Sequence, residues 1–229
     1  MKSCTVSRII EALFAVVVVP LSALSFPLAA QTPAVLKSEQ GINDPRAGAI
    51  LQKVRKNLLA AKNIQIEFSY TEKNNEQKAL LLAAGSSYVL KNSAQEIYCD
   101  GKTLYLYDIE VNEVSIYTYV PEKDNSNPLT NIKDYEKHFR PKYIREEVFK
   151  GVKCDIIDLI PLDGHAGYYR LRLHINKTTL QPERFEFNFK SGDSYVFIVR
   201  SLKVNTQIAP NAFIFDSKKH PDILENDMR

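Results

Sequence analysis

From Ile64 to Asp216 the chain is a succession of short segments in which apolar and polar residues alternate, and this period of two leaves few folds open. In an extended strand successive side chains point to opposite faces. "IQIEFSYTEK" sets Ile64, Ile66, Phe68 and Tyr70 against Gln65, Glu67, Ser69 and Thr71. "YYRLRLHIN" and "ERFEFNFK" place Tyr169, Leu171, Leu173, Phe185, Phe187 and Phe189 on one face. Arg170, Arg172, His174, Arg184, Glu186 and Lys190 fall on the other. Turn signals such as Lys150-Gly151, Asp163-Gly164, Asn176-Lys177 and Ser191-Gly192-Asp193 separate the segments. Ten or eleven short strands at such spacing predict a mainly β fold with some α, built on one large, strongly curved antiparallel sheet or barrel.

Two stretches break the period. Asp44 can cap free amides and Pro45 suits a first helical position. Ala47, Ile50, Leu51, Val54, Leu58 and Ala61 then recur at helical spacing, which predicts an amphipathic helix ending near Asn63. "NPLTNIKDYEKHF", 127–139, has Asn127 as a cap and Pro128 after it. Leu129, Ile132, Tyr135 and Phe139 fall on one side, predicting a second, short helix inserted in the sheet. A last strand is expected at "AFIFD".

The apolar residues outnumber what one core face needs. In "EIYCDGKTLYLYD", Asp100-Gly101 predicts a two-residue hairpin turn that pairs Cys99 with Lys102. One face of that hairpin carries Ile97, Cys99, Leu104 and Leu106, the other Tyr98, Tyr105 and Tyr107. A sheet of ten strands is about 45 Å wide at 4.8 Å per strand, whereas a helix covers about 10 Å. Two helices therefore leave apolar surface over. Two outcomes fit: a barrel core packed with its own Phe and Tyr, or a groove with room for an apolar guest.

Residues 1–30 read as a secretory leader, with Lys2 and Arg8 ahead of an apolar run and Ala29-Ala30 at its end. The rival reading is an uncleaved anchor; Pro20 and Pro27 interrupt the run. Cys4 precedes the run, where a lipidated cysteine would follow it. A flexible 31–43, a single domain over 44–223 and a tail at 224–229 are expected. Removing Lys2, Arg8 and Glu11 with the leader leaves 28 basic and 26 acidic residues of the 30 and 27 in the chain, a balance that gives no case for nucleic acid. Cys99 and Cys154, the remaining cysteines, read as buried strand residues acting as small hydrophobes, with a disulfide as the alternative.

Catalytic signals are few. His138, His165, His174 and His220 have no metal-ligand spacing with one another or with Cys, and His174 reads as part of a solvated polar face. Glu146 and Glu147 point to opposite faces of a strand. No nucleophile elbow, phosphate loop or dinucleotide fingerprint occurs.

The order of the segments says more than any one of them. The helix followed by "EFSYT", "CDGKTLYLYD" at 99–108, "LHINKTTLQPERFEF" at 173–187 and "NAFIFD" at 211–216 together resemble the LolA family of periplasmic lipoprotein carriers. The resemblance spans about residues 45–223. It implies an unclosed (half) antiparallel β-barrel with both helices as a lid over an apolar cavity, acyl chains as the guest, and no catalysis or cofactor. Ile66, Phe68, Tyr70, Leu171, Leu173, Phe187 and Phe189 are the expected cavity lining, with Tyr105 and Tyr107 if their face of the hairpin is the inner one. Leu51, Val54 and Leu58 would form the lid's underside. Where the family carries a lid-latching arginine this sequence offers only Lys91. The implied partners are lipoproteins, an inner-membrane releasing transporter and an outer-membrane receptor, for a monomer in the periplasm. The same half-barrel in relatives such as LolB and RseB keeps a sensing domain that regulates a membrane partner open as an alternative. A hydrolase built on convergent carboxylates is a third reading.

Overall fold

The computed structural model describes residues 44–72, 75–121, 127 and 132–229. The expected leader and the segment 31–43 lie outside the described residues. Helix α1, Pro45–Leu59, begins as the capping signal requires: Asp44 Oδ1 accepts from the amides of Arg46 at 2.9 Å and Ala47 at 3.2 Å. It stops at Leu59, four residues before Asn63, because Asn63 is used otherwise. That side chain is buried and donates to the Thr206 carbonyl at 3.0 Å while accepting from the Thr206 amide at 2.9 Å.

Among the described residues twelve strands follow. β1 Ile64–Glu72, β2 Asn75–Ala84, β3 Ser87–Lys91, β4 Gln95–Cys99, β5 Thr103–Asp108 and β6 Glu113–Thr118 form one antiparallel meander. A single-turn helix α2, Tyr135–His138, leads into β7 Phe139–Phe149, then β8 Val152–Pro161, β9 Tyr168–Asn176, β10 Pro182–Phe189 and β11 Ser194–Val204. β11 returns to pair with β1, so the spatial order is β12-β6-β5-β4-β3-β2-β1-β11-β10-β9-β8-β7. The outermost strands do not pair with each other, and the sheet stays an open half-barrel. Of the helix expected over 127–139, Ile132, Lys133 and Tyr135–His138 are helical, Phe139 is the first residue of β7, and 128–131 lie outside the described residues.

The concave face holds the main core. Ile64, Ile66, Phe68, Leu81, Tyr88 and Phe197 are among its buried members. One bulge fits β11 to this face: Glu67 pairs with Ser201 and Phe68 with Val199, leaving Arg200 as the extra residue. A bulge bends its strand and raises local twist. Here it puts Phe197 and Val199 on the same face as Leu202, which strict alternation would separate. Arg200 points outward, donating to Ser69 Oγ at 2.9 Å and pairing with Glu76.

Both faces of the β4–β5 hairpin are accounted for. Its register departs from expectation: Cys99 stands opposite Leu104, not Lys102. Asp100 Oδ1 accepts from the amides of Lys102 at 2.8 Å and Thr103 at 2.7 Å, an Asx turn that lengthens the loop, while Gly101 takes φ 89°. Because the slip is two residues, each side chain keeps its face. Ile97, Cys99, Leu104 and Leu106 join the concave core. Tyr98, Tyr105 and Tyr107 lie on the convex face with Val89, Val114 and Phe215.

That convex cluster is roofed by the C-terminal segment. The strand expected at 212–216 is absent; turns closed by Ala212 N→Ala209 O at 3.0 Å and Ile214 N→Asn211 O at 3.2 Å occupy the place. They deliver Phe215 onto Tyr98, Tyr105 and Tyr107 with ring centroids 5.1–6.1 Å apart. His220 stacks on Phe215 at 4.9 Å. Residues 224–229, expected as a tail, contain β12, Leu224–Asp227, which pairs parallel to the edge strand β6. We expect Phe215→Ala to release this strap locally. Losing the ring's burial should cost about 2 kcal/mol there, so hydrogen exchange at the Met228 amide, which bonds to Ile116 O, should speed up about thirtyfold.

His174 also departs from expectation. Only 3% exposed, it sits against the Phe149 ring at 5.7 Å rather than on a solvated face. Burial, then the Arg184 charge, lowers its pKa. Cys99 and Cys154 are both buried and form no disulfide, standing on β4 and β8 in opposite halves of the sheet. Burial, then the Glu183, Asp155 and Glu147 carboxylates, pushes the Cys154 thiol up to about 11.

Candidate functional site: an apolar cavity beneath helix α1

The alternation that builds the concave face also hollows it. Between α1, α2 and the strands β1–β3 and β7–β11 lies a cavity of about 240 Å³. Ile66 and Phe68 line it from one half of the sheet, Leu171, Leu173 and Phe187 from the other, and Val54 and Leu58 from the lid. Leu159, Ile175, Phe185, Leu202 and Phe139 complete much of the wall. Every lining side chain is apolar save the hydroxyl of Tyr135. Burial, then the neighbouring Glu136 carboxylate, pushes that phenol up to about 12, so it stays neutral. No lining side chain is a carboxylate, imidazole or thiol. Among the described residues no group of His, Cys, Asp and Glu could hold a metal ion.

The lid is fixed chiefly at its N-terminal end. Asp44 Oδ2 accepts from the Tyr143 amide at 2.8 Å. Burial opposes ionisation of Asp44, but the amides of Tyr143, Ala47 and Arg46 outweigh it and hold its carboxyl below the usual range. The Arg46 guanidinium lies 3.6 Å over the Tyr143 ring, donates to Glu146 Oε1 at 3.0 Å and approaches Asp155 at 3.6 Å. Ala47, Leu51 and Val54 pack against Ile157, Leu159, Leu173 and Ile175. Farther along, Gln52 donates to Glu136 at 2.8 Å and Arg55 to the Lys133 carbonyl at 3.3 Å, joining the lid to the segment around α2. These exposed contacts contribute little by themselves. Apolar packing and the Asp44–Arg46 anchor hold α1 down.

Five of the expected positions fall elsewhere in the fold, each for a physical reason. Tyr105 and Tyr107 are on the convex face, because the side of the hairpin turned inward is the Ile97–Leu104 side. Tyr70 is on the concave face but spends its ring on Phe197, 5.6 Å away, as core packing. Phe189 packs between Tyr168 and Tyr195 at 6.1 and 5.6 Å, away from the cavity wall. Leu51 is on the underside of α1 as expected, packed against the sheet. Lys91 is not at the lid: it lies on the convex face, with Nζ 3.2 Å from Glu96 Oε2 and 2.5 Å from the Tyr98 hydroxyl. The basic anchor of the lid is Arg46. Its partners Tyr143, Glu146 and Asp155 lie about a hundred residues downstream, a pairing no local pattern announces.

Comparison with known proteins agrees with this architecture. A conserved protein of uncharacterized function from Thermus thermophilus superposes with a TM-score of 0.56 at 16% identity, covering 80% of this chain and 99% of its own. A putative outer membrane lipoprotein-sorting protein domain from Vibrio parahaemolyticus gives a TM-score of 0.46 at 12% identity, covering 74% and 97%. An uncharacterized protein of Methanocaldococcus jannaschii, MJ0687, is 25% identical over 136 residues, which are 57% of this chain and 38% of that protein. The present chain thus spans well under half the length of that curated relative. The sequence pattern of the family described as "Outer membrane lipoprotein carrier protein LolA" matches residues 89–216, more than half of the chain. The half-barrel, its helical lid and this match together place the chain in the LolA family.

Proposed function

We propose that the protein is an exported, periplasmic carrier that shelters the acyl chains of lipoproteins in the cavity beneath α1. It would receive them from a releasing transporter of the inner membrane and pass them to a receptor at the outer membrane. The observation that carries this reading is the chemistry of the cavity wall. A lining that is apolar but for one phenol hydroxyl rewards a hydrocarbon guest with about 0.8 kcal/mol per buried CH₂. It offers no acid, base or nucleophile for a reaction. An apolar cavity of about 150 Å³ already takes up benzene, so this larger one admits the end of an acyl chain as it stands. A longer guest needs α1 to rise from the sheet, and burial of its own chain would have to offset the packing of Leu51 and Val54 that is lost.

Native mass spectrometry of the mature protein recovered from a periplasm tests the reading. A mass increment matching an acylated lipopeptide or lipoprotein is the expected result. Leu171→Trp fills the cavity from a half-buried position and should weaken binding of a diacylated lipopeptide about tenfold. Its stability cost should stay within the 1–3 kcal/mol of ordinary overpacking. Recovery of the protein without adduct, together with unchanged lipopeptide affinity in Leu171→Trp, would falsify it.

A further inference from the structure

The lid has a second face. Between 44 and 62 the chain carries five basic residues and one acid, Asp44, although its charge is otherwise nearly balanced. Two of the five are engaged, Arg46 at the N-terminal anchor and Arg55 with Glu136 at 3.6 Å. Lys53, Lys56 and Lys62 are exposed, and none has an ion-pair partner among the described residues. Lys53, Lys56 and Leu59 follow at three-residue spacing across the outward arc of α1, each step turning by about 60°, and Lys62 follows three residues on, past the end of the helix. Leu59 is 42% exposed in their midst. The opposite side of the same helix buries Val54 and lines the cavity with Leu58.

A cation in the last turn complements the helix dipole, and that accounts for Lys56 alone. It does not explain an exposed leucine set among three unpaired lysines. That combination suits a helix lying on a lipid surface, where an apolar side chain enters the headgroup boundary and flanking lysines meet phosphates. We propose that the outer face of α1, with the turn that follows it, docks the protein onto anionic phospholipid membranes, Lys53, Lys56 and Lys62 contacting headgroups and Leu59 entering between them. Docking would bring the cavity's lid to the bilayer, and it does not depend on what the cavity holds.

Each lysine near an anionic surface is worth about fivefold in partitioning. Sedimentation of the mature chain with vesicles of phosphatidylglycerol and phosphatidylcholine, against phosphatidylcholine alone, is the test. Binding should favour the anionic vesicles about a hundredfold and vanish near 1 M salt, where the Debye length is about 3 Å. Lys53→Gln/Lys56→Gln/Lys62→Gln should abolish the preference, and Leu59→Ser should weaken binding while leaving its salt dependence intact. All four positions are exposed, so thermal melting should match the parent chain. Equal binding to both vesicle types, no binding to either, or a triple variant that binds like the parent would overturn the proposal.

Discussion

Phe197→Ala is expected to lower the melting temperature by about 10 °C. Phe197 is fully buried at the centre of the concave face, with ring centroids 5.6 Å from Tyr70, 5.9 Å from Phe68 and 6.0 Å from Phe187. Phe→Ala in a core costs about 3–5 kcal/mol, and in a domain of this size each kcal/mol shifts the melting temperature by about 2–4 °C. Phe197 also lines the cavity, so the space it vacates should merge with the existing 240 Å³ rather than form a sealed void. The consequence separates packing from binding. An acyl ligand that occupies the enlarged cavity should restore part of the lost melting temperature, because a ligand bound only by the folded state stabilises it by mass action. Phe215→Ala, on the convex face, should show no such recovery. A melting temperature within about 2 °C of the parent chain would show that the concave aromatic cluster does not hold the two halves of the sheet together.

The same residue shows what could be read from the chain and what could not. The alternation at Ile64–Tyr70, Leu171–Ile175 and Phe185–Phe187 settles which side chains share a face, because period two is a local property of extended backbone. It fails at Tyr169, expected on the apolar face, where a register shift pairs Phe189 with Tyr168, so that Tyr168 enters the core and Tyr169 is exposed. Ile66, Phe68, Leu171, Leu173 and Phe187 could therefore be named from sequence. Phe197 and Leu202 could not be placed together, since the Arg200 bulge that reconciles their parities arises only when β11 meets β1, some 130 residues away in sequence. Tyr105 and Tyr107 were legible as a face but not as an inner or outer one. That choice depends on Phe215 arriving from the C-terminal segment, after turns that disrupt an apparently strand-like "AFIFD". The Asp100 carboxylate likewise alters a hairpin register that Asp-Gly alone would misassign, and the lid anchor joins Arg46 to Asp155 across most of the fold. Local pattern carries the faces; meetings between distant segments decide which face looks inward.

The convex side of β8–β10 supplies the other large effect. Asp158 is buried and receives two hydrogen bonds from Arg172, Nε at 2.7 Å and Nη2 at 2.9 Å, with Arg170 Nη1 at 3.8 Å. The Asp158 hydrogen bond, followed by opposing burial and further carboxylates, raises the Arg172 pKa. Asp158→Ala would leave that guanidinium largely buried without its bidentate partner, and we expect a loss of about 3 kcal/mol in denaturant unfolding. The pair need not be a net source of stability. Removing two charges from water offsets much of their attraction, so Asp158→Leu/Arg172→Met should return to within about 1 kcal/mol of the parent protein. Arg172→Met alone should be costly as well, because Asp158 would retain only the longer contact to Arg170. High salt should change these differences little, since buried pairs are screened much less than exposed ones. If Asp158→Ala unfolds at the parent denaturant midpoint, the pair is solvated in practice, and specificity of β8–β9 register must come from the Ile157–Leu173 and Leu159–Leu171 pairs on the concave side.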